Sequence, residues 1–535
     1  MRRIQRIRLR QMMRGYHNLK KAGRLYCIAY IKQELTTHKL SINQKFFSQK
    51  LFGAGIDSAE LIVRQYLLIR IGGTNLNRVL LIAAGKADAS VVFSMPPEWA
   101  DTIEKHGFKV NRLKSALMWH LYVLMMFLNG VLKIIKIVLI SLDFSKKSQI
   151  KIKPYVYFSE LIANNLPKGA QWQSERNVVS WYLQWDGRKP NIKTICHSVS
   201  NTFNKSLGDV ELVTQREPIP RLINTSELIK YIGWALVSIL LGFIDLFRYR
   251  WWHPLLLNQS ALAAQVRFVS SHCLAKEYLF HNSNWIYRPL WTYDAEQLGS
   301  TITFYFYSTN CEPFKRALGY PEITYGWMAM SWPRYLVWDE YQASFVRRCI
   351  GNQKEVYVVG SIWFSSDLAQ LNNIPFKTVA VFDVQPVRDS FYNLLALDFD
   401  YYTWQVANKF LMDIQDVLSE FSYIMALKRK RAVGALAHPK YRLCINVLEK
   451  KENFLAIDPN IDALSLIENC NLVISMPYTS TALLGRSVGK PSMYYDPFGL
   501  LQLNDRAAHG IPIIQGKDML RTWIGGALEG IHVSH

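Results

Sequence analysis

The last third of the chain alternates short apolar runs with segments of helical period, and no other feature constrains the fold as much. From Pro375 to His535, FKTVAVFDV reads as a strand rich in β-branched residues, YTWQVANKFLMDIQDVLSEF as a helix, SYIMALKRKR as a strand and KYRLCINVLEKK as a helix. NFLAIDP, NLVISM and PSMYYD continue as strands, with IDALSLIENC and TSTALLGRSV as the helices between them. Strands joined through single helices at this spacing point to a parallel β/α/β wind. Its crossovers are right-handed, and its ligands belong at the carboxyl ends of the strands.

Three of those strand ends carry polar residues that one sheet edge would collect. The first ends at Asp383 and is followed by Gln385, Pro386 and Arg388. The second runs into Lys428, Arg429, Lys430 and Arg431, with His438-Pro439 shortly after. The third ends at Ser475 and continues Met476-Pro477-Tyr478-Thr479-Ser480-Thr481. Pro477 stops the strand and stiffens the turn. One of the three hydroxyls that follow can cap the next helix, because it accepts from an unpaired N–H. The surplus hydroxyls and the positive helix end suit an anion such as phosphate, and the cation run would offset its charge. Each element also has a plainer reading: an ordinary Ser/Thr cap, a solvated basic turn, a structural His-Pro pair, a carboxylate cap at Asp383. Asp496 either binds a ribose hydroxyl or starts the turn before Pro497.

The first half is organised around two apolar segments. ALMWHLYVLMMFLNGVLKIIKIVLISL runs from Ala116 to Leu142, and IGWALVSILLGFIDLF from Ile232 to Phe247. Each approaches the length that spans a bilayer, but Lys133 and Lys136 interrupt the first and Asp245 the second. Arg248, Arg250, Trp251 and Trp252 follow the second as an interfacial flank. Contact with one leaflet, spanning helices and buried core helices are all open readings. The 535-residue chain carries a formal charge of +22, which calls for an anionic partner. Its basic start, with six arginines before Gly15, is either a solvated tail or a helix lying on anionic lipid. No nucleic-acid module is recognisable, so an anionic membrane surface or a phosphorylated substrate is the expected partner. Seven scattered cysteines read as free thiols of a reducing compartment. ASVVFSMPPEW reads as a buried strand over Ser90–Met95 that stops at a double proline. Glu98, His281 and Glu296 are of the right type for a general base, and spacing singles out none of them. There is no G-x-G-x-x-G after a strand, no Walker A loop and no cluster of metal ligands, so neither a metal nor a cofactor is expected.

VISMPYTSTALLGRSVGKPSMYYDP resembles bacterial surface-polysaccharide biosynthesis proteins named for a Pro-Phe-Thr-Ser motif. The motif here is Pro477-Tyr478-Thr479-Ser480, with a tyrosine that keeps the ring and is expected to matter little. VFDVQPVR, the Lys428–Arg431 run, NSNWIYRPLW and FYSTN look similar to the same family. More distantly, the last zone resembles the donor half of GT-B glycosyltransferases of the capsule Kdo and polysialyl transferase type, where a His-Pro pair and a Ser/Thr cluster bind a cytidine nucleotide. In those enzymes the His-Pro pair lies close to the strand end, whereas His438 comes several residues after it. The resemblance implies an α/β, GT-B-like fold: two Rossmann-like domains facing a cleft, with apolar membrane-contacting helices inserted in the N-terminal half. Residues 1–365 would form the acceptor side, with apolar helical segments near 116–142 and 229–252, and residues 366–535 the donor side. It implies a metal-independent glycosyltransferase of surface-polysaccharide synthesis, of capsule or O-antigen type, at the cytoplasmic face of the inner membrane. A nucleotide-sugar, CMP-linked by preference, would be the donor and a lipid-linked or growing glycan the acceptor. A CDP-alditol phosphotransferase and a non-catalytic assembly factor of a polysaccharide complex are the alternatives.

Overall fold

The computed structural model describes residues 2–37, 53, 74–86, 88–142, 154–167, 173, 177–188, 191–199, 205–281, 288–309, 312–323, 325–328, 330–362, 374–389, 391–392, 401–430, 432–434 and 436–533. The chain opens with helices α1 (Arg2–Lys21), α2 (Cys27–Thr37), α3 (Thr74–Ala84) and α4 (Trp99–Lys105), followed by the long α5 (Arg112–Leu142). Strand β1 (Tyr155–Phe158), α6 (Val178–Gln184), β2 (Thr194–His197), β3 (Lys205–Leu207) and β4 (Val210–Thr214) lead to α7 (Thr225–Phe247) and α8 (Trp252–Phe268). The first half closes with β5 (Glu277–His281), α9 (Trp291–Gln297), β6 (Thr301–Tyr305), α10 (Tyr325–Met328), β7 (Arg334–Val337), α11 (Glu340–Ile350) and β8 (Glu355–Val358). The second half runs β9 (Thr378–Phe382), α12 (Trp404–Glu420), β10 (Ile424–Lys428), α13 (Pro439–Leu448), β11 (Phe454–Ile457), α14 (Ala463–Glu468), β12 (Leu472–Ser475), α15 (Ser480–Ser487), β13 (Ser492–Asp496), β14 (Ile513–Gln515) and α16 (Gly516–Val533).

The strands form two sheets. The first has the order β3-β4-β2-β1-β5-β6-β7-β8, parallel except for β3. The second, β11-β10-β9-β12-β13-β14, is parallel throughout. Counted from β9, the second sheet has the strand order 3-2-1-4-5-6 of a doubly wound dinucleotide-binding fold, and its order reverses between β9 and β12. The first sheet reverses in the same way between β1 and β5. Two Rossmann-like sheets of a mixed α/β chain thus face each other in GT-B fashion. Alternation along β1 shows why each sheet is covered on both sides. Val156 and Phe158 enter one core cluster and Tyr157 the other.

Three helices account for the apolar segments. α8 is buried almost along its whole length, its polar His253, Ser260 and Gln265 included, and packs on α5, α7 and α9. α5 turns Trp119, Val123, Phe127, Gly130, Ile134 and Ile137 inward, a stripe of helical period, and α7 does the same with Tyr231, Ala235, Ser238 and Gly242. Of the interrupting charges, Asp245 is buried, Lys133 is largely covered, and Lys136 is exposed though paired. Lys133 and Lys136 pair with Glu217 at 3.8 and 3.1 Å, and Asp245 is buried 3.6 Å from His253. Within α1, Met12 and Leu19 are buried and Gly15 lies against Leu81 of α3, while Arg6, Arg8 and Arg10 are exposed.

One expected strand is absent. Ser90–Met95 forms no strand, and only Val91 bridges to Val110. The run is apolar enough, but it has no neighbour along its length to complete a ladder.

Candidate active site

The ends of β9, β10 and β12 lie level, with Phe382 opposite both Lys428 and Ser475. This is the point where the strand order reverses, and a cavity of about 730 Å³ opens there between the two sheets. The second half lines it with Asp383, Gln385, Tyr402, Lys428, Arg429, Lys430, Asp462 and Thr479–Thr481. The first half contributes Tyr307, Ser308 and Trp338.

Several side chains here hold polar atoms with no partner. Asp383 Oδ1, Gln385 Oε1 and the Arg429 Nε and Nη1 atoms are buried without a hydrogen bond. Orphaned groups of this kind cost about 1–3 kcal/mol each unless a ligand or water completes them. Burial pushes the Asp383 carboxyl up to about 6, although Tyr441 donates to Oδ2 and Arg429 lies near. Burial likewise lowers the Lys428 ammonium, which donates to the Pro459 carbonyl at 3.3 Å.

At the third strand end the hydroxyls are shared out differently from the expectation. Thr479 occupies the N-cap position of α15 but makes no capping bond. Its Oγ1 donates to the Met476 carbonyl at 3.0 Å and lies 3.0 Å from Thr481 Oγ1, which in turn meets Ser475 Oγ at 2.8 Å. The hydroxyls brace the turn, and the first N–H groups of α15 are left uncapped by a side chain at the cavity wall. Tyr478 anchors the turn from behind. Its hydroxyl donates to Asp505 at 2.9 Å and its ring packs edge-on against Phe314, from the first half, at 4.9 Å. The ring is kept as expected, but the added hydroxyl has a buried partner and so is not neutral.

The structure brings Asp383, Lys428, Lys430, Thr479, Ser480 and Thr481 together at the cavity and leaves other expected residues outside its lining. Asp496 is wholly buried, and its carboxylate accepts from the backbone N–H of Leu501 at 2.8 Å and the side chain of Gln515 at 3.4 Å. It fastens the turn after β13, in keeping with the turn-starting alternative, and does not line the cavity. His438 caps α13, accepting from Lys440 N at 3.2 Å, and stacks on Trp404. Ser475 and Pro477 act within the turn, and Arg388 pairs its backbone with Leu436. Arg431 lies outside the described residues. Of the three base candidates, Glu296 pairs with Arg288, which stacks on Tyr293, and Glu98 sits at the start of α4; neither lines the cavity. His281 ends β5 at the reversal point of the first sheet, its ring 5.5 Å from that of Tyr307, which does line the cavity. Burial lowers its pKa.

Arg429 and Gln385 are the residues whose importance the sequence did not rank. Their strand-end position was visible, but burial of their polar atoms was not. Glu160 was missed altogether. It follows β1 at φ +56°, a left-handed conformation that a non-glycine residue adopts at some cost, and its carbonyl lies 3.4 Å from His281.

Two doubly wound sheets facing one cleft, with cations and a helix N-terminus on the second wall, define an α/β fold of GT-B type. The model of the polysaccharide biosynthesis PFTS motif proteins matches residues 234–524, more than half of the chain, and the chain belongs to that family. No protein of curated function matches the sequence. Among solved structures, similar folds include an α,α-trehalose-phosphate synthase (UDP-forming) from Burkholderia vietnamiensis, with 9% identity, 70% of this chain and 89% of that chain covered, and a TM-score of 0.37. The UDP-GlcNAc 2-epimerase from Methanocaldococcus jannaschii gives 9%, 70%, 92% and 0.36. A variant of the wall teichoic acid polymerase TagF gives 12%, 71%, 78% and 0.35.

Proposed function

We propose that this protein is a glycosyltransferase of bacterial surface-polysaccharide synthesis that binds a nucleotide-activated sugar in the cleft. The carrying observation is the set of orphaned polar atoms on Asp383, Gln385 and Arg429, gathered beside the uncapped start of α15. The donor phosphates lie on the N–H groups of α15, Ser480 donates a further hydrogen bond, and Arg429 and Lys430 offset the leaving charge. Fixed donors and cations of this kind stabilise a departing phosphate without requiring a metal. The sugar points toward Tyr307, Ser308 and Trp338, where a lipid-linked or glycan acceptor enters. His281, kept neutral near pH 7 by burial, accepts the acceptor's proton.

Thermal-shift titration with CMP, CDP, UDP and GDP tests the reading. Stabilisation by one of them, CMP or CDP by preference, and its loss in Arg429→Gln are expected. No shift with any nucleotide refutes the donor site and leaves the assembly-factor alternative. Ser480→Ala should slow transfer by about tenfold, the worth of one hydrogen bond of ~1–1.5 kcal/mol. Ser475→Ala, outside the cavity lining, should leave transfer nearly unchanged.

A further inference from the structure

The outward faces of α5 and α7 are apolar and uncovered, in contrast to the inward stripes that pack on α8. Only 28% and 33% of their most apolar stretches is buried. On α5, Leu121, Leu128 and Leu132 are 57%, 53% and 64% exposed, and on α7, Leu236 and Leu240 are 66% and 59% exposed. The helices run antiparallel. His120 near the start of α5 meets Tyr249 just past α7, and Lys133 and Lys136 near the end of α5 meet Glu217 ahead of α7.

Charge says what covers this face. The acids of the two helices, Glu227 and Asp245, are both buried, whereas Lys114, Lys136 and Lys230 are exposed. Lys114 and Lys136 are 22 residues apart, so cations stand at both ends of an apolar strip roughly 33 Å long. Beside its far end a cavity of about 460 Å³ is lined by Lys133, Lys136, Arg216 and Arg221 against a single carboxylate, Glu217. The same cavity has apolar walls at Ile137, Ile140 and Leu262. Cations at both ends of an apolar strip suit acyl chains edged by anionic headgroups, whereas a second copy would set the same cations against one another. Between Lys114 and Lys136 the only outward polar side chain on α5 is Asn129.

We infer that the α5–α7 face lies in the plane of an anionic lipid leaflet, with a lipid headgroup phosphate seated among Lys133, Lys136, Arg216 and Arg221. The helices lie along the leaflet and do not cross it, because α8 and the first sheet back their inner faces and would have to follow them into hydrocarbon. This does not depend on the donor reading.

Flotation of the full chain with vesicles tests it. The protein should float with vesicles of equal parts phosphatidylglycerol and phosphatidylcholine, and far less with phosphatidylcholine alone. Leu121→Glu with Leu236→Glu, both on exposed side chains, should abolish flotation while circular dichroism stays unchanged. Arg216→Ala with Arg221→Ala should weaken binding to the anionic vesicles roughly ten- to thirty-fold, on the order of 1 kcal/mol per cation, and leave binding to neutral vesicles as it was. Flotation that survives the glutamates overturns the face, as does failure of the unaltered chain to float. So does light scattering that shows a dimer dispersed by the same glutamates. An equal loss on neutral vesicles overturns the headgroup site.

Discussion

The hydroxyl that distinguishes Tyr478 from phenylalanine is bonded inside the protein, so Tyr478→Phe removes one donor from Asp505 and leaves the ring in place. Asp505 keeps Tyr320 and the Lys315 N–H, so the expected loss is about 1–2 kcal/mol in urea denaturation. Asp383 gives a pH signature. Its proton leaves near pH 3.8 in the unfolded chain and near 6 in the folded one. Between those values the folded state holds the extra proton, so stability falls as pH rises, and above about pH 6 the loss is complete. The displacement corresponds to on the order of 3 kcal/mol. Asp383→Asn should remove that slope, seen as a flatter dependence of the urea midpoint between acid and neutral pH. The hydroxyl cluster and the cation run were legible because composition and strand-end position mark them. The two readings of Asp496 could not be separated in the sequence, because a turn that folds back to present N–H groups leaves no spacing signal. The two readings of His438 stayed open there as well, because a histidine before proline reads equally as a helix cap or a ligand.

Among the elements, α5, α7 and α8 show how little room the first half leaves. A Cβ on Gly242 would stand 2.7 Å from the Phe127 ring, and one on Gly130 would stand 2.6 Å from Leu257. Gly242→Leu should force α5 and α7 apart and cost about 1–3 kcal/mol, with a lower thermal midpoint as the readout. The length and apolar character of these helices were plain in the sequence. Which way Lys133, Lys136 and Asp245 point was not, since helical period assigns residues to a face but cannot say what the face meets. β9–β13 were legible because each is a short β-branched or aromatic run set off by polar turns. β14 has only three residues, too few to carry a period, and Ser90–Met95 shows that an apolar run becomes a strand only where a neighbour pairs with it.

On the scale of the whole molecule, the repeated strand order sets the two reversal points toward one cleft, and polar contacts tie the halves together beside it. His509 lies 2.8 Å from Asp339, and burial of Asp339 is outweighed by that bond, so its carboxyl stays below its ordinary value. Glu312 receives both Arg506 and Arg348. The parallel wind of the second half could be read from the chain. The ties could not, because each joins residues more than 150 positions apart in the sequence or depends on a loop between elements. Asp505 is the densest of them, taking Lys315 and Tyr320 from the first half and Tyr478 and Ala507 from the second. Two of its four donors cross between the halves and, with His509–Asp339 and Arg506–Glu312, couple their unfolding, so calorimetry should show one melting transition. Asp505→Ala removes both of its crossing bonds but leaves His509–Asp339 and Arg506–Glu312, so it should lower and broaden that one transition without dividing it.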